Sequence, residues 1–159
     1  MNRIGFAKDI HRLVPNRKLI LGGVEIPFEK GLLGHSDADV VLHAVTEAIL
    51  GALALGDLGT HFPDSDSRYK DIDSSLLVKK AVELMKKEGY AVGNVDVTIV
   101  LEKPKIAPYI SSIQQRLATL LEVTSKEVSV KACTNEGLDA IGRGDAAEAD
   151  AIILLRKVD

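Results

Sequence analysis

Two stretches alternate apolar and polar residues, NVDVTIVL at 94–101 and EVSVKACT at 127–134. Between them lies PKIAPYISSIQQRLATLLEV at 104–123, where Ile106, Ile110, Ile113, Leu117 and Leu120 fall on one side. Strand side chains alternate between two faces, whereas residues three and four apart share a helix face. The change of period predicts strand, helix, strand.

The rest of the chain extends the pattern. Residues 2–13 read as a strand, and KLILGGVEIPF at 18–28 as two β-rich arms around Gly22-Gly23, a hairpin signal. In LLGHSDADVVLHAVTEAILGALALGD, the residues Val41, Ala44, Ala48 and Ala52 recur at helical spacing. Ser36 with Asp39 resembles a capping pair, which predicts a helix from Asp37 to the stop at Gly56. Residues 58–73 have loop character. Residues 74–88 are predicted helical, with Leu77, Ala81 and Leu84 or Met85 inward, four lysines outward and Gly89 closing. Residues 135–145 form a glycine-containing turn region, and 147–158 the last strand.

The order β, β-hairpin, α, α, β, α, β, β implies an α+β fold, an α/β sandwich of one mixed sheet with helices on one face. No linker or repeat interrupts it, so 1–159 is expected to be a single domain. The uncovered sheet face also carries Val, Ile, Ala and Thr, which suits a subunit partner and an oligomer.

Net charge −3 argues against a nucleic-acid partner, whose phosphates call for a basic face. No apolar run reaches the ~18–20 residues that cross a bilayer, so no membrane association is expected. MNRIGFAKDIHR lacks the apolar centre of a signal peptide, so a cytoplasmic location is expected, or a plastid-type organelle for a trimmed mature form. A single cysteine, Cys133, excludes an intrachain disulfide and a four-thiolate metal site.

Within KDIH, Asp9 and His11 share a strand face. By itself such a pair is usually a solvated polar contact. His43, inside the apolar DVVLHAVTEAIL, alone reads as a buried, hydrogen-bonded core histidine. If that helix packs on the first strand, the three side chains meet. Two imidazoles and a carboxylate suit zinc with one coordination position open, as in catalytic sites. Asp39, one turn before His43, or a backbone carbonyl would orient a ring N–H.

Four further clusters carry candidate chemistry. His35 and Ser36 stand at a helix start, where free N–H groups and the dipole favour an anion; the plainer role there is a cap. GDLGTHFPDSD brings Asp57, Asp64 and Asp66 near Gly59, a polyol- or metal-binding pattern that is also common in ordinary acidic loops. EKPKIAP leads through Pro104 into a helix, with Lys105 facing a phosphate or only solvent. CTNEGLDAIGRG offers Thr134 to a phosphate, Glu136 to a hard cation and Arg143 to an anion.

In sequence order these are D-x-H, L-G-H-S-D-A-D, a helical His, G-D-x-G-x-x-F-P-D, P-K-x-x-P and T-x-E…G-R-G. From Arg3 to Leu155 the chain resembles the 2-C-methyl-D-erythritol 2,4-cyclodiphosphate synthase family of the non-mevalonate isoprenoid pathway. LILGGVEIP, KGLLGHSDADVVLHA, LGDLGTHFPD and GNVDVTI carry the likeness. The resemblance implies a homotrimer whose three sheets line a central prism, with active sites between subunits. It also implies a lyase that closes a cytidylyl substrate into a cyclic diphosphate and releases CMP.

By position it implies zinc on Asp9, His11 and His43, and a second cation, Mg2+ or Mn2+, on Glu136. It implies transition-state contacts from His35 and Thr134, with Ser36 beside the first. It places the methylerythritol part at Asp57, Leu58 and Gly59, under a loop of Phe62, Pro63, Asp64, Ser65 and Asp66. It places the cytidine at Leu101, Pro104, Lys105, Ile106 and Ala107, the diphosphate at Cys133 to Glu136 with Asn135 among them, and an anion at Arg143. Three departures stand out. Ala7 and Lys8 replace a usual Gly-x-Tyr, Cys133 and Asn135 replace hydroxyl residues, and Asp139 and Ala140 stand where a Phe lining the trimer's central cavity is common. A metal-dependent phosphohydrolase using the same triad, or a non-enzymatic metal or nucleotide binder, would share these residues but differ in product.

Overall fold

The structure is a computed structural model describing residues 1–158. Its centre is a five-stranded mixed sheet in the order β4-β1-β7-β5-β6. The strands are β1 (Arg3–Pro15), β4 (Lys30–Leu32), β5 (Tyr90–Val100), β6 (Val128–Cys133) and β7 (Ala146–Lys157). β1 is antiparallel to β4 and β7, β7 is antiparallel to β5, and β5 is parallel to β6. A parallel pair needs a crossover, and α4 (Ile110–Leu121) supplies it. The hairpin β2 (Leu19–Leu21) and β3 (Val24–Ile26) turns through Gly22 and Gly23, both at positive φ as a two-residue turn of this kind requires.

The long helices α1 (Val40–Ala52), α3 (Ser75–Lys87) and α4 lie on one face of the sheet. α1 is buried nearly all round because it runs between β1, β7 and α3. One contact sets its depth. A Cβ added to Gly5 would lie 1.8 Å from the Ala48 carbonyl oxygen, so only glycine lets α1 lie this close to β1. α2 (Leu58–His61) and the single-turn α5 (Asp139–Gly142) complete the set.

On the other sheet face Ile4, Phe6, Ile10 and Ile152 are 71, 60, 49 and 49 % exposed. Lys8 stands among them and pairs with Glu148 at 2.8 Å across the β1–β7 ladder, with Asp150 at 4.0 Å. The hydrogen bond to Glu148 raises the Lys8 pKa. Ala140 packs at one end of that face with Val100, Ile141 and Ala146, while Asp139 turns its carboxylate onto the Ile141 N–H.

Several expected boundaries move. α1 begins at Val40, not Asp37, because Asp39 is its N-cap and Ala38 takes a left-handed conformation no helix start can continue. It stops at Ala52, with left-handed Ala54 turning the chain before Gly56. The short β4 was hidden in KGL. Residues 58–73 contain α2 and a 3₁₀ turn at Ser67–Tyr69. β5 starts at Tyr90 because a bulge between Val92 and Asn94 interrupts the alternation. The helix expected from 104 is a 3₁₀ turn at Ala107–Tyr109 before α4, so Lys105 lies outside its first turn.

Candidate metal centre and ligand site

β1 points Asp9 and His11 toward α1, and α1 lowers His43 onto them. Asp9 Oδ2 lies 3.0 Å from His11 Nε2 and 3.0 Å from His43 Nδ1, and the two imidazole nitrogens are 3.3 Å apart. All three ligand atoms fall within 4.8 Å of one another. The outer ring nitrogens are already committed. His11 Nδ1 donates to the Leu33 carbonyl at 2.8 Å, and His43 Nε2 meets the hydroxyls of Ser36 and Ser74, each at 2.9 Å. Three lone-pair-bearing atoms thus converge on one point, and that donor set fits a divalent cation. Gly34 permits it, since a Cβ there would come within 3.1 Å of the His11 ring.

Burial would raise the Asp9 carboxyl, but hydrogen bonds with His11 and His43 outweigh it and hold the pKa below the usual carboxylate range. The same Asp9 contact raises His11 above the ordinary imidazole value, with burial opposing it.

Asp39 does not orient a histidine. Its carboxylate is fully buried and accepts N–H groups from Val41 and Leu42 of α1 and from Gly22 and Gly23 of the hairpin, at 2.7–3.1 Å. Burial pushes its pKa up to about 6, restrained by the N–H groups of Gly23, Leu42 and Gly22. It binds the hairpin to the helix that carries His43. It also takes up N–H groups at the α1 start that the sequence left free for an anion. His35 and Ser36 therefore face the cavity as side chains, not as part of an exposed helix end.

The triad opens into a cavity of about 420 Å³, whose walls include His35, Ser36, Leu58, Gly59, Phe62, Pro63 and Asp64. Glu47, Tyr69, Ile72 and Leu77 also line it and were not anticipated. Tyr69 stacks edge-on to Phe62 at 5.5 Å, and that pairing lies in a loop without period. Asp64 is 88 % exposed, with one oxygen 3.9 Å from His35 Nδ1. Asp57 and Asp66 have local roles. Asp57 caps α2 through the Thr60 N–H, and Asp66 caps the 3₁₀ turn and pairs with Arg68 at 2.6 Å. Neither they nor Ser65 line the cavity.

A second cavity, of about 180 Å³, is lined by Leu101, Glu102, Pro104, Lys105, Ile106, Ala107, Ala132, Cys133 and Thr134. It shares no lining residue with the first. Beside it Glu102 accepts the N–H groups of Asn135 and Gly137, bracketing Glu136, which sits at φ 52° with its carboxylate exposed. Arg143 follows α5 and bonds Asp145 at 3.2 Å, outside both cavities. Among the described residues no helix is long and apolar enough to cross a membrane.

The chain is similar to known proteins over nearly its whole length. The model of the YgbB family matches residues 2–156. A 2-C-methyl-D-erythritol 2,4-cyclodiphosphate synthase of Chloroherpeton thalassium is 56% identical over 156 residues, covering 98% of this chain and 99% of its own. One from a Geobacillus species is 54% identical, covering 99% of each. The solved structure of a Plasmodium falciparum IspF in complex with CDP superposes with a TM-score of 0.88 at 35% identity, covering 99% of this chain and 97% of its own. The chain belongs to the YgbB family, that of the 2-C-methyl-D-erythritol 2,4-cyclodiphosphate synthases.

Proposed function

We propose that the protein cyclises 4-diphosphocytidyl-2-C-methyl-D-erythritol 2-phosphate to 2-C-methyl-D-erythritol 2,4-cyclodiphosphate with release of CMP, a step in making isoprenoid precursors. One observation carries the reading: Asp9, His11 and His43 converge at a cavity walled by His35, Ser36 and the 58–64 segment, in a chain of this family.

The substrate brings its own nucleophile. An oxygen of its 2-phosphate bonds to the β-phosphorus as the bond from that phosphorus to the CMP oxygen breaks, so no side chain needs to attack. The protein's work is to fold the substrate so that these atoms meet, and effective molarities for such intramolecular steps are high. His35 and Ser36 donate hydrogen bonds to phosphate oxygens, with Thr134 doing so from the second cavity. Leu58 and Gly59 line the cavity and hold the methylerythritol part, with Asp57 beside them at the cap of α2, and the loop through Phe62 and Asp66 shields it from water.

Asp9, His11 and His43 hold Zn2+, whose preference for imidazole nitrogen matches the donor set, and Glu136 holds Mg2+ or Mn2+ through oxygen. When bound, the cations supply positive charge that offsets the charge developing on the phosphate oxygens.

Pro104 to Ala107 and Cys133 to Asn135 hold the cytidine and diphosphate, with Arg143 gripping an anion. Of these, Pro104 to Ala107, Cys133 and Thr134 line a different cavity from the triad, which supports a homotrimer with each site built from two subunits. It would also cover the apolar outer sheet face. A sedimentation mass close to three times 17.1 kDa is expected, and the monomer mass would count against the shared site.

The reaction is tested by incubating the protein with the cytidylyl substrate, Zn2+ and Mg2+ and following phosphorus NMR. A cyclic diphosphate and CMP in equal amounts are expected. Linear phosphates would identify a phosphohydrolase, and no turnover would leave a binding module.

A further inference from the structure

Ser74 is fully buried just ahead of α3, and its side chain makes no capping bond to that helix. Its hydroxyl serves two other groups, lying 2.5 Å from Asp37 Oδ1 and 2.9 Å from His43 Nε2. A hydroxyl has one proton to give, and the direction is settled by Asp37. That carboxylate also receives the Ser74 N–H on Oδ2 at 3.0 Å and the Asp39 N–H on Oδ1 at 3.2 Å, so it acts as acceptor throughout. The Ser74 proton therefore goes to Asp37, and the Ser74 oxygen faces His43 with lone pairs only. Ser36 Oγ, 2.9 Å from the same nitrogen, accepts the Ala38 N–H at 3.2 Å, and its own proton has the Ser74 oxygen as an acceptor at 3.5 Å, which leaves a Ser36 lone pair for Nε2. With both hydroxyl oxygens turned to it as acceptors, Nε2 carries the imidazole proton, which leaves Nδ1 bare toward Asp9 and His11.

We propose that Ser74, seated on Asp37, is a positioning residue for the metal centre: the pair fixes His43 in the tautomer that can ligate through Nδ1. The inference rests on reading Asp9, His11 and His43 as metal ligands and not on the cyclisation. It joins the loop above the cavity to the metal centre, because the segment ending in Ser74 is laced to residues 35–37. Asp71 N–H donates to the His35 carbonyl at 2.8 Å, and Asp37 N–H to that of Ile72 at 3.2 Å.

The test uses Ser74→Ala and Asp37→Asn, with Zn2+ as probe in competition with a chromogenic chelator. Long-range proton–nitrogen spectra of histidine-labelled, metal-free protein read the tautomer. Outer partners of metal-bound histidines are worth about 10- to 100-fold in metal affinity. Ser74→Ala is expected to lose that much, with His43 shifting from Nε2–H toward Nδ1–H on Asp9. Asp37→Asn, whose amide can donate to Ser74 and turn its hydroxyl onto Nε2, is expected to act in the same direction. Wild-type affinity in Ser74→Ala, or weakened affinity with an unchanged tautomer, overturns the proposal. If the wild-type protein binds no Zn2+, the ligand assignment itself fails, and the proposal with it.

Discussion

Gly5→Ala tests the link between fold and site. The added Cβ would sit 1.8 Å from the Ala48 carbonyl oxygen and 2.9 Å from the Ala52 nitrogen, both backbone atoms of α1. No rotamer change can relieve such a contact, so helix and strand must separate by roughly 1.5 Å to reach ordinary van der Waals distance. Overpacking of this kind costs about 1–3 kcal/mol, and a rigid backbone target places it near about 3. For a domain of this size that lowers Tm by about 6–12 °C. The same separation carries His43 away from Asp9 by well over the ~0.5 Å that a preorganised site tolerates, so Zn2+ affinity should fall as well. Gly51→Ala is the control. It lies on the same helix with nothing within 4 Å of its added Cβ. Gaining a better helix former there should stabilise by about 0.5–1 kcal/mol. Calorimetry and chelator competition on both variants decide the matter. A Gly5→Ala protein with wild-type Tm and wild-type Zn2+ affinity would refute the close-approach argument.

Three further outcomes are expected. His43→Ala should lose zinc by elemental analysis, and turnover with it, while its circular dichroism stays native; unchanged zinc content would remove His43 from the ligand set. Asp39→Ala leaves four N–H groups without their acceptor, two of them on α1 and two on the hairpin, and should cost on the order of 3 kcal/mol, read as a fall in urea midpoint. A loss below about 1 kcal/mol, the worth of a typical cap alone, would mean that the hairpin contacts contribute nothing. For pH, the depressed Asp9 contributes stability above its ordinary pKa of about 3.9, lost as pH falls through its lower folded value. The raised His11 contributes fully below about 6.5, lost as pH rises through its higher folded value. In metal-free protein this pair therefore stabilises most between about pH 4 and 6.5, whereas the stabilisation added by Zn2+, which needs His11 deprotonated, should grow as pH rises. Zinc-induced Tm shifts that stay level from about pH 5 to 8 would contradict this.

The candidate metal triad was legible as two local pieces, and the family resemblance joined them, since no local period says that α1 packs on β1. Strand parity puts Asp9 with His11, and one apolar helix carries His43. The hairpin was legible for a similar reason, since Gly22-Gly23 allows few other turns. What was misread depends on distant partners. Ser36 and Asp39 have the spacing of a capping pair, and nothing nearby reveals that Asp39 is claimed by a hairpin 16 and 17 residues upstream, with Ala38 forced into a left-handed turn to deliver it. Ser74 looked like an ordinary helix start, because its partners His43 and Asp37 lie 31 and 37 residues away. Tyr69 and Ile72 reach the cavity only through loop geometry that no period encodes.

Lys8 shows how a residue without a local reason acquires one from the sheet. Parity on β1 turns Ile4, Phe6, Lys8 and Ile10 away from the helices, and the register sets Ile4 against Leu154 and Phe6 against Ile152. Those apolar pairs form one end of the outer face, and Lys8 with Glu148 and Asp150 forms a charged band beside them. On a solvated surface such an ion pair contributes about 0–1 kcal/mol and would explain little. In the proposed trimer the same strip repeats around the axis. The apolar ends would then pack on one another, with a lysine beside two carboxylates in each subunit. There Lys8 would keep that acidic pair from being buried unpaired, where a lone carboxylate would cost several kcal/mol. In the proposed trimer, its presence there would thus be an electrostatic requirement of placing Glu148 and Asp150 on a covered face.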